Sequence, residues 1–486
     1  MCPFFLALLF SAWTKTQLIE IKGHVLDPDG KPVAGAKVFV QPFVHCIPRL
    51  PARTAVSDAK GKFLVRSMRP QLDVGGVHHH AIAAMRDGFA LALRMPEADP
   101  TLDIALKLSK DDHAIEGRII DLEGRAAANV TVRAVVIHAQ WTATVGTLTA
   151  DLTAAVNTWQ NRREPSDGNA IWFESIPIEE MGIRSEAVTD AAGRFRLAGM
   201  GAERIAELRL EGEHIVTERI HVMTRPGKRL EFGCATTRHY STFSRGMLIH
   251  PMAFEYPVAP SAPVEGVVRE QGTAKPVPGV ELAVLGDGHV EPLKRVRSGA
   301  DGRFRITGLP SRDLRLVHPR DKFDFFPNSV ELPATRSRAP ITVDFPVQRP
   351  VVIRGRVTDK LTGKPVSAMV YYESLPGNPN ALRANEKVID TATTAFAAGS
   401  FRLFVLPGPG VISVTAERRD GETHRYRVGD GVEQAKKRFP RAAAAIDEHA
   451  VTNLVLAIDP PLLGEVLDIG TVKLSRSDDT AKTDDK

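Results

Sequence analysis

One two-part pattern occurs four times in the chain, and it limits what the chain can fold into more than any other feature. Its first half reads GHVLDPDGKPVAGAKVFV from Gly23, GRIIDLEGRAAANVTVRAVV from Gly117, GVVREQGTAKPVPGVELAVL from Gly266 and GRVTDKLTGKPVSAMVYYES from Gly355. Its second half reads SDAKGKFLV from Ser57, TDAAGRFRL from Thr189, SGADGRFRI from Ser298 and AFAAGSFRL from Ala395. Around the first glycine the apolar residues alternate: Ile21, Gly23 and Val25; Ile115, Gly117 and Ile119; Val264, Gly266 and Val268; Ile353, Gly355 and Val357. A period of two predicts a strand with one buried face.

Asp27-Pro28-Asp29-Gly30 and its counterparts supply the backbone angles of a turn. The Lys-Pro step that follows returns the chain to an extended path. A second strand is expected after Gly35, Asn129, Gly279 or Ala368. Gly and Asn tolerate positive φ, so a bulge or tight bend is expected in three of these copies. The second half predicts a hairpin-type turn, then a strand with Phe63, Phe195, Phe304 or Phe401 inward and Lys62, Arg194 or Arg303 outward. Such units specify an all-β chain: a tandem array of small antiparallel Greek-key β-sandwiches.

The pattern G-x-V-x-D-x-x-G-K-P-V-x-G-A-x-V, followed by T-D-A-x-G-x-F-x-L, resembles the carboxypeptidase regulatory-like domain family over about residues 20 to 418. Copy two departs at Arg125-Ala126-Ala127, and copy four at Phe396-Ala397-Ala398. The resemblance implies a transthyretin-like sandwich, similar to the carbohydrate-binding-like fold. It also implies a bacterial surface or periplasmic setting, in some relatives behind a membrane segment with an active domain ahead of it.

The boundaries expected are an apolar N-terminal segment at 1–17 and sandwiches at 18–110, 111–233, 263–348 and 349–474. A linker with some strand is expected at 234–262 and a disordered tail at 475–486. For the apolar residues 4–13 three readings stand: a degenerate signal peptide or anchor, the end of a truncated membrane helix, or a buried start of the first domain. The first two make attachment to a membrane through the N-terminus an expectation.

Copy two runs from Gly117 to Gly193, about twice the span of its sisters, and the extra length lies at 138–184. Val145, Leu148, Leu152, Val156 and Trp159 recur at steps of three and four, which predicts a helix in this insertion. Three of the four tryptophans, Trp141, Trp159 and Trp172, lie in it. Trp172, Trp141 and Phe173 are therefore the candidate contacts for a polysaccharide or a neighbouring protein domain. The competing reading has the insertion covering a sheet edge, with its tryptophans filling that contact.

Catalytic and metal-binding groups are not expected. His113-Ala114-Ile115-Glu116 fits a two-ligand spacing but falls on a strand with no third ligand in a recognisable setting. His78-His79-His80 alternates across an extended segment, so its rings do not converge. Nucleotide loops and nucleophile elbows are missing too, so no cofactor is expected. A net charge of +5 from 63 basic and 58 acidic residues does not indicate a nucleic-acid partner. Lys436, Lys437, Arg438 and Arg441 read as a solvated face beside a short helix at 432–446. The sequence thus predicts a non-catalytic extracytoplasmic array, a spacer or interaction module. The alternatives are a carbohydrate-binding array and the C-terminal part of a larger membrane-anchored protein.

Overall fold

The computed structural model describes residues 14–44, 51–72, 78–94, 103–111, 113–142, 152, 171–232, 247–286, 292–319, 325–326, 328–335, 337–381, 391–395, 399–416, 426–461 and 466–476. The chain divides into two compact units, Met1–Ala262 and Pro263–Lys486, and each holds two sandwiches. No helix among the described residues is long and apolar enough to cross a membrane.

All four sandwiches share one plan. The strand carrying the first glycine is the middle of a small sheet. It pairs antiparallel with the phenylalanine strand on one side and parallel with a closing strand on the other. In the first sandwich Thr14–Leu26 lies between Lys62–Leu72 and Ile104–Lys107. In the second, Ile115–Asp121 lies between Arg194–Leu197 and Ala253–Val258. Val264–Glu270 pairs with Arg303–Ile306 and with Ile341–Thr342 and Phe345–Val347. Val351–Asp359 lies between Ser400–Val405 and Leu467–Leu474. A larger sheet packs on each small one. In the first sandwich its order is Arg53–Val56, Lys37–Val44, His78–Met85, Ala92–Arg94, and the third and fourth sandwiches repeat that order.

The register explains the repeat. Gly23 stands opposite Phe63, Gly117 opposite Phe195, Gly266 opposite Phe304 and Gly355 opposite Phe401. Each ring lies over its glycine, and a Cβ there would sit 2.4–2.9 Å from ring carbons. The glycine makes room for the ring, and the ring replaces the side chain the glycine lacks. All four phenylalanines are buried, as expected. The bend before the second strand also follows expectation: Gly35, Asn129 and Gly279 have φ of 71°, 60° and 74°.

A buried hydroxyl fastens this bend to the second half of the repeat. Ser57 Oγ accepts the Ala36 N–H and donates to the Val33 carbonyl. Thr189 does the same with Val130 and Ala127, and Ser298 with Val280 and Val277. One short side chain satisfies a buried donor and a buried acceptor that the strands leave over.

Three segments differ from expectation, and a fourth goes beyond it. The first strand begins at Thr14, inside the segment assigned to an apolar leader. The strand expected within 234–262 proves integral to the second sandwich. This stretch supplies Met247–His250 to the larger sheet and Ala253–Val258 as the closing strand, because the small sheet's parallel edge needs a partner. The start of the expected tail is tied down as well. Arg476 donates to Asp359, 2.6 Å away, whose carboxylate also accepts the Leu361 and Thr362 amides and the Tyr426 hydroxyl. Residues 477–486 and 1–13 lie outside the described part. At 432–446 the expected short helix is broken in two. Val432–Arg438 and Ala443–Asp447 flank a 3-10 turn at Pro440–Ala442. They pack Val432, Ala435, Ala442 and Ile446 on Val411 and Val455. Lys437 and Arg438 are exposed, while Lys436 pairs with Glu433 and Asp447.

Neighbouring sandwiches within a unit share core. Val38, Val40, Ile82 and Ala84 fill the first sandwich, whereas Phe39, Ala81, Ala83 and Leu93 join the core cluster of the second. The middle of that sheet is buried on both faces, which is why the run Ala81–Ala84 shows no polar alternation. The junction is fixed by the Leu91 N–H donating to the Gly199 carbonyl and by Asp111 accepting the Gly199 N–H.

Candidate functional site

The second sandwich departs from the common plan. Its larger sheet runs Ile171–Ile176, Thr131–Thr142, Ile205–Glu211, Glu218–Met223, Met247–His250, Leu230–Phe232, with Glu186–Val188 also paired to Thr131–Thr142. The expected insertion begins and ends as strand. Thr131–Thr142 continues beyond the end of its partner Ile205–Glu211, and on its other edge Ile137–Thr142 pairs with Ile171–Ile176. In this antiparallel pair Trp141 stands opposite Trp172, and Phe173 opposite Gln140. The side chains of Trp141, Trp172 and Phe173 lie outside the described residues. So do Val145, Leu148, Val156 and Trp159 of the expected helix; Leu152 alone of that stretch is described. It is helical and fully buried, and its N–H donates to Glu203 Oε2 at 3.2 Å.

A second group of residues forms on the outer face of this sheet. The register along Thr131–Thr142 shifts between Ala134 and Val136, so that two residues oppose one. Such a bulge changes which side chains face outward. Ala134 and Ile137 face the core, and Val136 and His138 turn to the other side. Val136 pairs with Glu207, and Glu207 pairs with His221. Leu208, Ile220 and Val222 belong to the core, so Glu207 and His221 share the outward face with His138.

These three side chains converge. Donor atoms of His138, Glu207 and His221 all lie within 4.8 Å of one another, and among the described residues no other such trio occurs. Glu207 Oε2 is 3.8 Å from His138 Nε2 and 3.9 Å from His221 Nε2. Its other oxygen, Oε1, accepts from Arg219 at 2.7 Å. His138 Nδ1 is 3.0 Å from Ser175 Oγ, which fixes the ring with Nε2 toward the carboxylate. His138 is fully buried, and the Glu207 and His221 side chains are 9% and 16% exposed. Burial would raise the Glu207 pKa, but His138 and Arg219 beside it lower it further, and the group stays ionised. Burial lowers the His221 pKa, and His138 adds to that against the pull of Glu207.

The same face continues as an ion-pair network. Glu179 is 2.6 Å from Arg209 and 3.4 Å from Arg133. Arg133 also reaches Glu186, and Arg209 reaches Glu211. The hydrogen bond from Arg209 holds the Glu179 carboxyl below its ordinary pKa.

Two imidazoles and a carboxylate are a donor set for a divalent transition cation. The sequence expectation of no metal ligands tested only the local spacings. His80 is buried with Nε2 3.3 Å from the Met68 carbonyl, and Glu116 pairs with Arg196. Neither belongs to the trio. His138, Glu207 and His221 are far apart in sequence, and only the pairing register across a bulge brings them together. His138 at the start of the lengthened copy was the one local signal.

No family model and no curated protein matches the chain. Among solved structures it is similar to the Bacillus anthracis TIE protein, at 8% identity over 95% of this chain and 74% of that one, with a TM-score of 0.19. It is similar to a streptococcal ancillary pilin at 11% identity, covering 75% and 98% of the two chains, with a TM-score of 0.21. A DUF3823 family protein from Parabacteroides merdae is 17% identical over 32% of this chain and 92% of its own, with a TM-score of 0.16. Likeness at this level leaves the fold to be read from the chain's own strands.

Proposed function

We propose that the chain acts outside the cytoplasm as a non-catalytic array of sandwich domains, a spacer whose second sandwich carries the interaction surface. The observation behind this reading is that one sandwich is built four times, and among the described residues only the second copy has a larger sheet extended by an added strand, Ile171–Ile176. Repeated units that share core with a neighbour resist bending at the joint, a property useful in a spacer. The partner class favoured is a neighbouring protein domain. A polysaccharide is the second reading, and it rests on the cross-strand placement of Trp141 and Trp172. The resemblance in the repeat motif supports an extracytoplasmic site and an N-terminal attachment, with these units forming the C-terminal part of a larger anchored protein.

Fractionation of cells expressing the chain with a C-terminal tag tests the placement: recovery outside the cytoplasm is expected, and a wholly cytoplasmic protein would count against it. Binding to a glycan array, lost in Trp172→Ala, would replace the protein-partner reading with the sugar one. Failure of every glycan to bind leaves the spacer reading in place.

A further inference from the structure

We propose that His138, Glu207 and His221 form a binding site for one divalent transition cation of the zinc class on the outer face of the second sandwich. The donors come from three adjacent strands of one sheet, so their spacing is set by hydrogen-bonded backbone rather than by loops. Two ligands on a tetrahedral zinc, each about 2.0–2.1 Å from it, lie roughly 3.3–3.4 Å apart. Glu207 Oε2 is 3.8 Å and 3.9 Å from the two Nε2 atoms. Those ion-pair gaps exceed the metal-bridged separation by about half an ångström, and the two imidazoles, whose donor atoms lie within 4.8 Å of each other, would draw together as well.

The supporting groups are also present. Ser175 at Nδ1 aims His138 Nε2 at the carboxylate, and Arg219 occupies Oε1, so Oε2 is the oxygen offered to the rings. His221, at 16% exposed, is the most accessible of the three ligands. Three protein ligands leave a fourth position for water or for a ligand atom from a partner. The donors are nitrogen and oxygen. Zinc fits them, as do cobalt, nickel and copper, whereas calcium and magnesium prefer all-oxygen sites.

The test is titration of the chelator-stripped full chain with Zn²⁺ against a chromophoric competitor, and with Co²⁺ by absorption. One tight equivalent is expected. Glu207→Gln and His221→Gln should each weaken it at least about a hundredfold, and Ser175→Ala about ten- to a hundredfold. His78→Ala/His79→Ala should bind as the unaltered chain does. Lack of binding above buffer background, or losses under tenfold in both ligand variants, would overturn the site. If a variant fails to fold, the cobalt spectrum of the unaltered chain decides. Intense ligand-field bands without thiolate charge transfer support the site. A weak six-coordinate spectrum, or a thiolate band from one of the three cysteines, refutes it.

Discussion

Replacing Gly266 by Ala should unfold the third sandwich, with a loss of more than about 4 kcal/mol. A Cβ at this position would lie 1.6 Å from the Val343 carbonyl oxygen and 2.9 Å from Phe304 Cζ. The first contact is with backbone, in the closing segment whose Val343 N–H donates to the Glu265 carbonyl. A ring can tilt, but this carbonyl cannot retreat without breaking the parallel pairing on both sides of it, at Glu265↔Thr342 and Val268↔Phe345. Gly23→Ala faces the same obstacle, with the Ile104 carbonyl oxygen at 2.0 Å. Gly117→Ala and Gly355→Ala meet side-chain atoms, at 2.4 Å and 2.8 Å, and should lose less, about 1–3 kcal/mol. Denaturant melts of the four variants should therefore fall into two pairs. Equal losses in all four would show that the ring alone sets the requirement.

Phe326→Ala should remove about 3–5 kcal/mol and separate the melting of the third sandwich from that of the fourth. Phe325 and Phe326 are consecutive residues between two strands of the third sandwich, Leu314–Val317 and Ser329–Leu332, yet they enter different cores. Phe325 joins the third sandwich's own cluster, and Phe326 joins that of the fourth. The Phe326 ring is 2% exposed and lies edge-on to Tyr372, with centroids 6.3 Å apart and planes at 89°. Its N–H donates to the Gln348 carbonyl at 2.7 Å, at the entry to the fourth sandwich. Calorimetry should show one transition for Pro263–Lys486 in the unaltered chain and two in the variant. An unchanged single transition would mean that other contacts join the pair.

Much of this fold was legible because the repeat marks the places where local geometry is most demanding. The glycine–phenylalanine pair recurs in all four copies and the positive-φ bend in three, because both restrict residue choice tightly. The closing strands were harder to see. Ile104–Lys107 and Leu467–Leu474 do share a signal, L-D-I from Leu102 and from Leu467 followed by alternating apolar residues. In the fourth copy the register slips beside Gly470, so the spacing differs by one residue. Ala253–Val258 has a proline in it and no such signature, and its role as a closing strand is not readable because only its parallel partner defines it. The outward trio was hidden for a similar reason. A bulge reverses the alternation after Ala134, and no count along the sequence predicts which side His138 then faces. Core sharing leaves its trace only as the unbroken apolar run Ala81–Ala84, whose second face needs a neighbour that the run does not name.

Hydrogen exchange followed by mass spectrometry on the intact chain tests the fourfold architecture most directly. Each sandwich should give one strongly protected block containing its glycine strand, its phenylalanine strand and its closing strand. The deciding segment is 253–258. It should be protected together with 115–121 and 194–197 and should exchange on their timescale. Rapid exchange there, as in a linker, with 115–121 still protected, would contradict a second sandwich closed by its own parallel strand.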